Sequence, residues 1–104
     1  MFIVVCTYQA RQGEEDAIVA LHEDWQRTLR ARAAGYLSGE LLYTIQDPQT
    51  FKAVTRYESE AAAQAIANDP EQIAWQRRLL SLTDAQPTCV AYYSAWCDPV
   101  GDSE

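Results

Sequence analysis

Residues 2–10 (FIVVCTYQA) divide by parity, with Phe2, Val4, Cys6 and Tyr8 on one side and Ile3, Val5 and Thr7 on the other. The stretch is rich in β-branched and aromatic residues and too short for a buried helix, so it reads as a strand. Gln12-Gly13 breaks it. Over residues 14–33 the apolar period lengthens to that of a helix, and Ile18, Leu21, Trp25 and Leu29 share one stripe. Glu14, Glu15 and Asp16 stand in its first turn and Arg27, Arg30 and Arg32 near its end, an order that suits the helix dipole. Gly35 is placed to end this helix in the left-handed conformation. Period two returns at residues 36–46, where Leu37, Leu41, Tyr43 and Ile45 oppose Ser38, Glu40, Thr44 and Gln46. Asp47-Pro48-Gln49-Thr50 is a turn that joins this strand to a third, residues 51–58. Ser59 caps a short alanine-rich helix over 60–67. Asp69 and Pro70 start another, with Gln72 in capping-box position. That helix runs to about 82 with Trp75, Leu79 and Leu82 on one side. Residues 88–97 form the last strand, with Cys89, Ala91, Tyr93 and Ala95 opposing Val90, Tyr92 and Trp96.

The order β-α-β-β-α-β predicts an α+β, ferredoxin-like fold: a four-stranded antiparallel sheet with helices over one face. It occupies residues 1–97, followed by an acidic tail, 98–104, expected to be exposed. The first and last strands are apolar on both faces, whereas a sheet with one wet face should alternate. A monomer rarely exposes an apolar patch above roughly 300–600 Å². The expectation is therefore a homodimer whose sheets face one another, a dimeric α+β barrel.

Composition narrows the function classes. The chain has 104 residues, 48% hydrophobic and 22% charged, as expected of one globular domain. Eight Lys+Arg against fifteen Asp+Glu leave a net charge of −7, which repels nucleic acid and anionic membrane surfaces. No apolar run is long enough to cross a membrane, and the apolar start lacks the features of a signal peptide. The three cysteines, Cys6, Cys89 and Cys97, form no C-x-x-C pair. That spacing supports no zinc site and no disulfide framework, and with it the expectation is a cytoplasmic location.

Further features appear in a set order: Gln12-Gly13 before the long helix, Gly35-Tyr36 before the second strand, Asp47-Pro48 followed by Phe51, Arg56-Tyr57-Glu58-Ser59-Glu60-Ala61, and Asn68-Asp69-Pro70. Together they resemble the antibiotic biosynthesis monooxygenase domain family of the dimeric α+β barrel superfamily. The segment 56–61 is similar to the family's W-E-S-x-E-A, with Tyr57 at the tryptophan. The resemblance implies a homodimer with a pocket between sheet and helices in each subunit. It also implies oxidation of quinols or polycyclic phenols, often with neither metal nor flavin. Haem-degrading members carry Asn, Trp and His where this chain has Cys6, Ile66 and Gln76, so haem degradation by that route is rejected. Many quinol-type members carry histidines where Ile66 and Glu71 stand here.

The residues themselves offer few acid–base groups. His22, the one histidine, lies beside the apolar stripe, where it could take a proton from a phenol or serve as a structural side chain bonded to a carbonyl. Tyr57 shares parity with Phe51 and Thr55, and the resemblance puts it at the pocket. His22 and Tyr57 are therefore the candidate catalytic residues. Cys6, Tyr8, Trp25, Thr55, Ile66 and Trp75 are the candidate lining for a small apolar or aromatic ligand. Trp96, Tyr92 and Tyr93 are assigned to the dimer interface, Arg27, Arg30, Arg32, Arg77 and Arg78 to solvent, and Arg56 to the face toward the second sheet, where Glu40 or Glu58 of the partner subunit could pair with it. No metal-ligand spacing, phosphate loop or dinucleotide fingerprint is present, and no cofactor is expected. The leading function is a cofactor-independent monooxygenase. A noncatalytic dimeric binding module is the alternative, and an isomerase or lyase acting on a small activated carbonyl is a third.

Overall fold

In the computed structural model, residues 1–98 are described. Residues 99–104, which hold most of the expected tail, lie outside them. The elements are β1 (Phe2–Gln9), α1 (Glu15–Thr28), a 3-10 turn (Arg30–Arg32), β2 (Tyr36–Tyr43), β3 (Thr50–Tyr57), α2 (Glu60–Ala67), α3 (Pro70–Leu80) and β4 (Thr88–Tyr93). The strands form one antiparallel sheet in the order β2-β3-β1-β4, so β1 is central and, among the described residues, β4 is an edge paired with β1. This is the ferredoxin-like arrangement expected from the element order.

Parity sets the two faces. Phe2, Val4, Cys6 and Tyr8 on β1 face the helices together with their β3 partners Tyr57, Thr55, Ala53 and Phe51. Tyr8, Ala10, Ile18, Leu21, Leu29, Phe51, Trp75 and Leu79 form the core between sheet and helices. The other face carries Ile3, Val5, Val54, Val90 and Tyr92; Val90 is 47% and Tyr92 51% exposed.

Several local expectations shift. The first helix stops at Thr28 and passes into the 3-10 turn, so Gly35, at φ +85°, closes the loop after that turn rather than the helix itself. A Cβ on Gly35 would come within 2.6 Å of Ala62 Cβ, so close approach to α2 also requires glycine there. β2 is irregular between Tyr36 and Ser38, which puts Tyr36 opposite Tyr57 and breaks the parity read for Leu37. Ser59 caps α2 by accepting from Ala62 N. Asp69 caps α3 by accepting from Glu71 N at 2.9 Å. Gln72 forms no capping box with it; its Oε1 accepts from Trp25 Nε1 instead. Tyr93 shares the helix-facing parity of Cys89, so it is not on the back of the sheet. It packs edge-on against Phe2 and donates its hydroxyl to Glu60.

The expectation of unpaired cysteines is overturned. Cys6 and Cys89 are directly opposed on β1 and β4, and their sulfurs are bonded. Sequence spacing hid the pair, because 83 residues separate partners that the sheet makes neighbours. The cysteine argument for a reducing compartment goes with it. Cys97 is free and exposed. Among the described residues, no helix is long and apolar enough to cross a membrane.

Candidate functional site

Between the helix-facing side of the sheet and the helices lies a cavity of about 590 Å³. Its walls include Cys6, Tyr8, His22, Trp25, Thr55, Tyr57, Ile66 and Trp75, so all eight side chains singled out from the sequence are brought together. The geometry follows from two periods. Alternate β1 and β3 residues supply the floor, and helical spacing on α1, α2 and α3 supplies the roof. Exposed Glu23, Gln26 and Gln76 also line the space, so it communicates with solvent.

A hydrogen-bonded pair lies at one end. The Tyr8 hydroxyl is 2.6 Å from His22 Nε2, and His22 Nδ1 is 2.8 Å from the Ile18 carbonyl oxygen. That carbonyl can only accept, so Nδ1 carries the ring proton. Burial holds His22 below its usual pKa of 6.5, opposed by the bond to Ile18, so the neutral ring is the form favoured near neutral pH. Nε2 is then an acceptor, and Tyr8 donates to it. Burial also pushes the Tyr8 phenol up, which keeps that proton in place. The indole of Trp75 meets the His22 ring edge-on at 5.0 Å and donates Nε1–H to the Leu21 carbonyl oxygen at 3.0 Å. One ring nitrogen of His22 is thus tied to a backbone carbonyl, and the ring borders the cavity.

The other end is aromatic. Trp25 packs on Tyr36 with centroids 5.0 Å apart, and Tyr36 on Tyr57 at 6.1 Å. Gly39 leaves the room that the Tyr36 hydroxyl fills. Burial raises the Tyr57 phenol, with Tyr36 adding to it, so Tyr57 is a neutral hydrogen-bonding group rather than a base. Among the described residues, no side-chain hydrogen bond engages the hydroxyl of Tyr36 or Tyr57.

Sequence reasoning missed Tyr36, Gln72 and Cys89. The bulge hid Tyr36, and a capping motif concealed Gln72. Cys89 needed the β1–β4 register, which sets it opposite Cys6 as it sets Tyr93 opposite Phe2. Among the described residues, no group of three His, Cys, Asp or Glu side chains is arranged to hold a metal ion. The arginines are less idle than expected: Arg32 forms a two-pronged bond to Asp69 with both distances at 3.0 Å, and Arg30 lies over the Tyr36 ring.

A ferredoxin-like sheet roofed by helices over an aromatic cavity defines a small α+β pocket domain. Residues 1–78 match the antibiotic biosynthesis monooxygenase family, and the chain belongs to that family. Solved structures share the fold. SnoaB, a cofactor-independent oxygenase from Streptomyces nogalater, superposes with a TM-score of 0.82 at 13% identity, covering 94% of this chain and 96% of its own. Rv0793 from Mycobacterium tuberculosis gives 0.76 at 18% identity over 95% of this chain and 97% of that one. A conserved protein from Methanosarcina mazei Go1 gives 0.78 at 13% identity over 88% and 89%. No curated protein sequence matches significantly.

Proposed function

We propose that the chain is a small cofactor-independent monooxygenase of quinols or other flat phenols, working as a homodimer. The observation that carries this reading is the Tyr8–His22 pair at one end of an apolar cavity of about 590 Å³ that Tyr57 lines at the other. That volume lies within the roughly 300–1,000 Å³ of ordinary small-molecule sites. A phenol entering with its hydroxyl toward Tyr8 can hand its proton to the Tyr8 oxygen as the Tyr8 proton moves to His22 Nε2. The result is a substrate phenolate and an imidazolium, whose Nδ1–H stays on the Ile18 carbonyl. At the other end of the cavity Tyr57 offers a hydrogen bond to a polar group of a polycyclic substrate, and Trp25 and Tyr36 flank its rings.

The phenolate supplies the electrons to dioxygen. For a hydroquinone the balance is one hydroquinone plus O2 giving one hydroxyquinone plus water. One oxygen atom enters the ring and the other leaves as water, with no outside reductant. The protein contributes position, a proton acceptor and exclusion of water.

The homodimer reading rests on the back of the sheet, where Ile3, Val5, Val54, Val90 and Tyr92 form an apolar band. Two copies packed through this band would remove it from water. Trp96, 82% exposed just beyond β4, would join that contact.

Oxygen uptake with a panel of hydroquinones and naphthohydroquinones, in buffer containing a chelator, tests the activity. Uptake that falls in His22→Ala and Tyr57→Phe supports it. If no compound is consumed but naphthols still bind, the chain is a noncatalytic binding module. Sedimentation velocity at micromolar concentration tests the dimer, and a wholly monomeric boundary removes it.

A further inference from the structure

The Cys6–Cys89 bond lies in the wall of the cavity. Cys6 is half-buried and Cys89 exposed, and both residues line the space a ligand would enter. Neither the proton path from Tyr8 to His22 nor the aromatic end uses this bond. It ties edge strand β4 to central strand β1, and among the described residues no other strand pairs with β4.

We propose that Cys6–Cys89 is a thiol-exchange site opened from within the cavity by small neutral thiols, so that reduction and ligand occupancy exclude one another. The proposal rests on the cavity being the ligand site, though it needs no turnover. The thiolate of an incoming dithiol attacks Sγ of Cys89, the more exposed residue of the pair. A new S–S bond forms to Cys89, the Cys6–Cys89 bond breaks, and its electron pair leaves on Cys6 Sγ, which takes a proton. The dithiol's second thiolate then attacks the dithiol sulfur bound to Cys89. Cys89 leaves as thiolate and is protonated, and the dithiol departs as a cyclic disulfide. Two electrons and two protons have passed from the dithiol to the two cysteines.

The surroundings choose the reductant. The cavity is lined largely by apolar and aromatic groups, Glu23 and Glu40 stand among its lining, and the chain carries a net charge of −7. A compact uncharged dithiol enters such a space more readily than glutathione, whose two carboxylates meet like charge. Once opened, the thiols leave β4 held by its hydrogen bonds to β1 and by the contacts of Tyr93 with Phe2 and Glu60. The wall of the ligand space then loosens, and binding a ligand must by reciprocity disfavour reduction.

Maleimide titration of the denatured full-length chain, without reductant, is expected to find one thiol per chain, Cys97. Prior incubation of the folded protein with dithiothreitol should raise the count to three. Opening by dithiothreitol should be about tenfold or more faster than by glutathione at equal thiolate concentration, and saturating 2-naphthol should slow it by a similar factor. Ala63→Trp, which fills part of the cavity, should slow it as well, its fold being checked by circular dichroism. Three thiols before reduction would overturn the proposal. So would equal rates with both reductants that neither naphthol nor the filling variant changes. If 2-naphthol gives no fluorescence change on titration but Ala63→Trp still slows opening, the exchange site stands and the ligand reading fails. If Ala63→Trp does not fold, the comparison of the two reductants decides.

Discussion

At the β1–α1 end of the cavity the ring nitrogens and hydroxyl are committed: Tyr8 to His22, His22 to the Ile18 carbonyl, Trp75 to the Leu21 carbonyl. At the β2–β3 end Trp25 is tied to Gln72, and the hydroxyls of Tyr36 and Tyr57 are left to water or a ligand. The first end is rigid because each polar atom was satisfied in folding, so it can move a proton without rearrangement. The second can adapt to the ligand it meets. On the proposed function, the difference separates groups that would perform chemistry from groups that would select what undergoes it, and substitutions at the two ends should therefore fail in different ways.

The largest contrast should come from the two tryptophans. Trp75 is 6% exposed and forms both the wall behind His22 and a bond to α1. Trp75→Ala should cost about 3–5 kcal/mol, from lost burial and the cavity left behind. In a domain whose total stability is of order 5–15 kcal/mol, much of the protein would then unfold under mild denaturant. Trp25 is half-buried, and Trp25→Ala should cost roughly 1–2 kcal/mol. Urea unfolding of both variants checks the pair, and equal losses would erase the distinction between the two ends.

Activity should separate the ends next. His22→Gln and Tyr8→Phe should each lower kcat for quinol oxidation about a hundredfold or more, because each removes the proton acceptor or its link. The double variant should be little worse than either single one, since the two groups act as a unit. Multiplying losses would mean that they act separately. Tyr57→Phe should instead leave stability within about 0.5 kcal/mol and raise KM or the naphthol dissociation constant roughly three- to tenfold, the worth of one hydrogen bond.

The same contrast explains what could be read from the chain. Which residues share a face follows from periods, two along β1 and β3 and helical spacing along α1, α2 and α3, while the family resemblance chose the face that meets the helices. That is why Cys6, Tyr8, Thr55 and Tyr57 come to face Trp25, Ile66 and Trp75. What each atom bonds to does not follow. The Tyr8–His22 bond depends on how far α1 slides along β1, a property of packing rather than pattern. Gln72 occupies a position where a local cap and a distant indole compete, and the half-buried Trp25 N–H wins because leaving it unpaired would cost more than an exposed cap. Tyr36 entered through an irregularity that parity cannot anticipate. The disulfide needed strand pairing, because Cys6 and Cys89 are remote in sequence and adjacent only across β1 and β4.

The smallest expected effect lies in pH, where the sign is worth following. His22 is held below 6.5 in the folded chain, chiefly by burial. The unfolded chain therefore binds a proton there more readily than the folded one. Stability from the neutral ring is complete above about pH 6.5 and is lost as pH falls from there toward the lowered folded value. The phenols of Tyr8 and Tyr57 are raised above 10, so their contribution is lost only as pH rises beyond that, and they are silent between pH 5 and 8. Asp69, drawn below 3.8 by Arg32, acts only in stronger acid. Between pH 7.5 and 5, then, the polar end should titrate while the aromatic end does not. The wild-type Tm should fall by a few degrees more than that of His22→Gln over this range, and Tyr57→Phe should track the wild type. Thermal scans in matched buffers measure the difference. Parallel curves for wild type and His22→Gln would show that the imidazole is as well solvated as in the unfolded chain, and with that the case for a neutral, ready acceptor at Nε2 would fail.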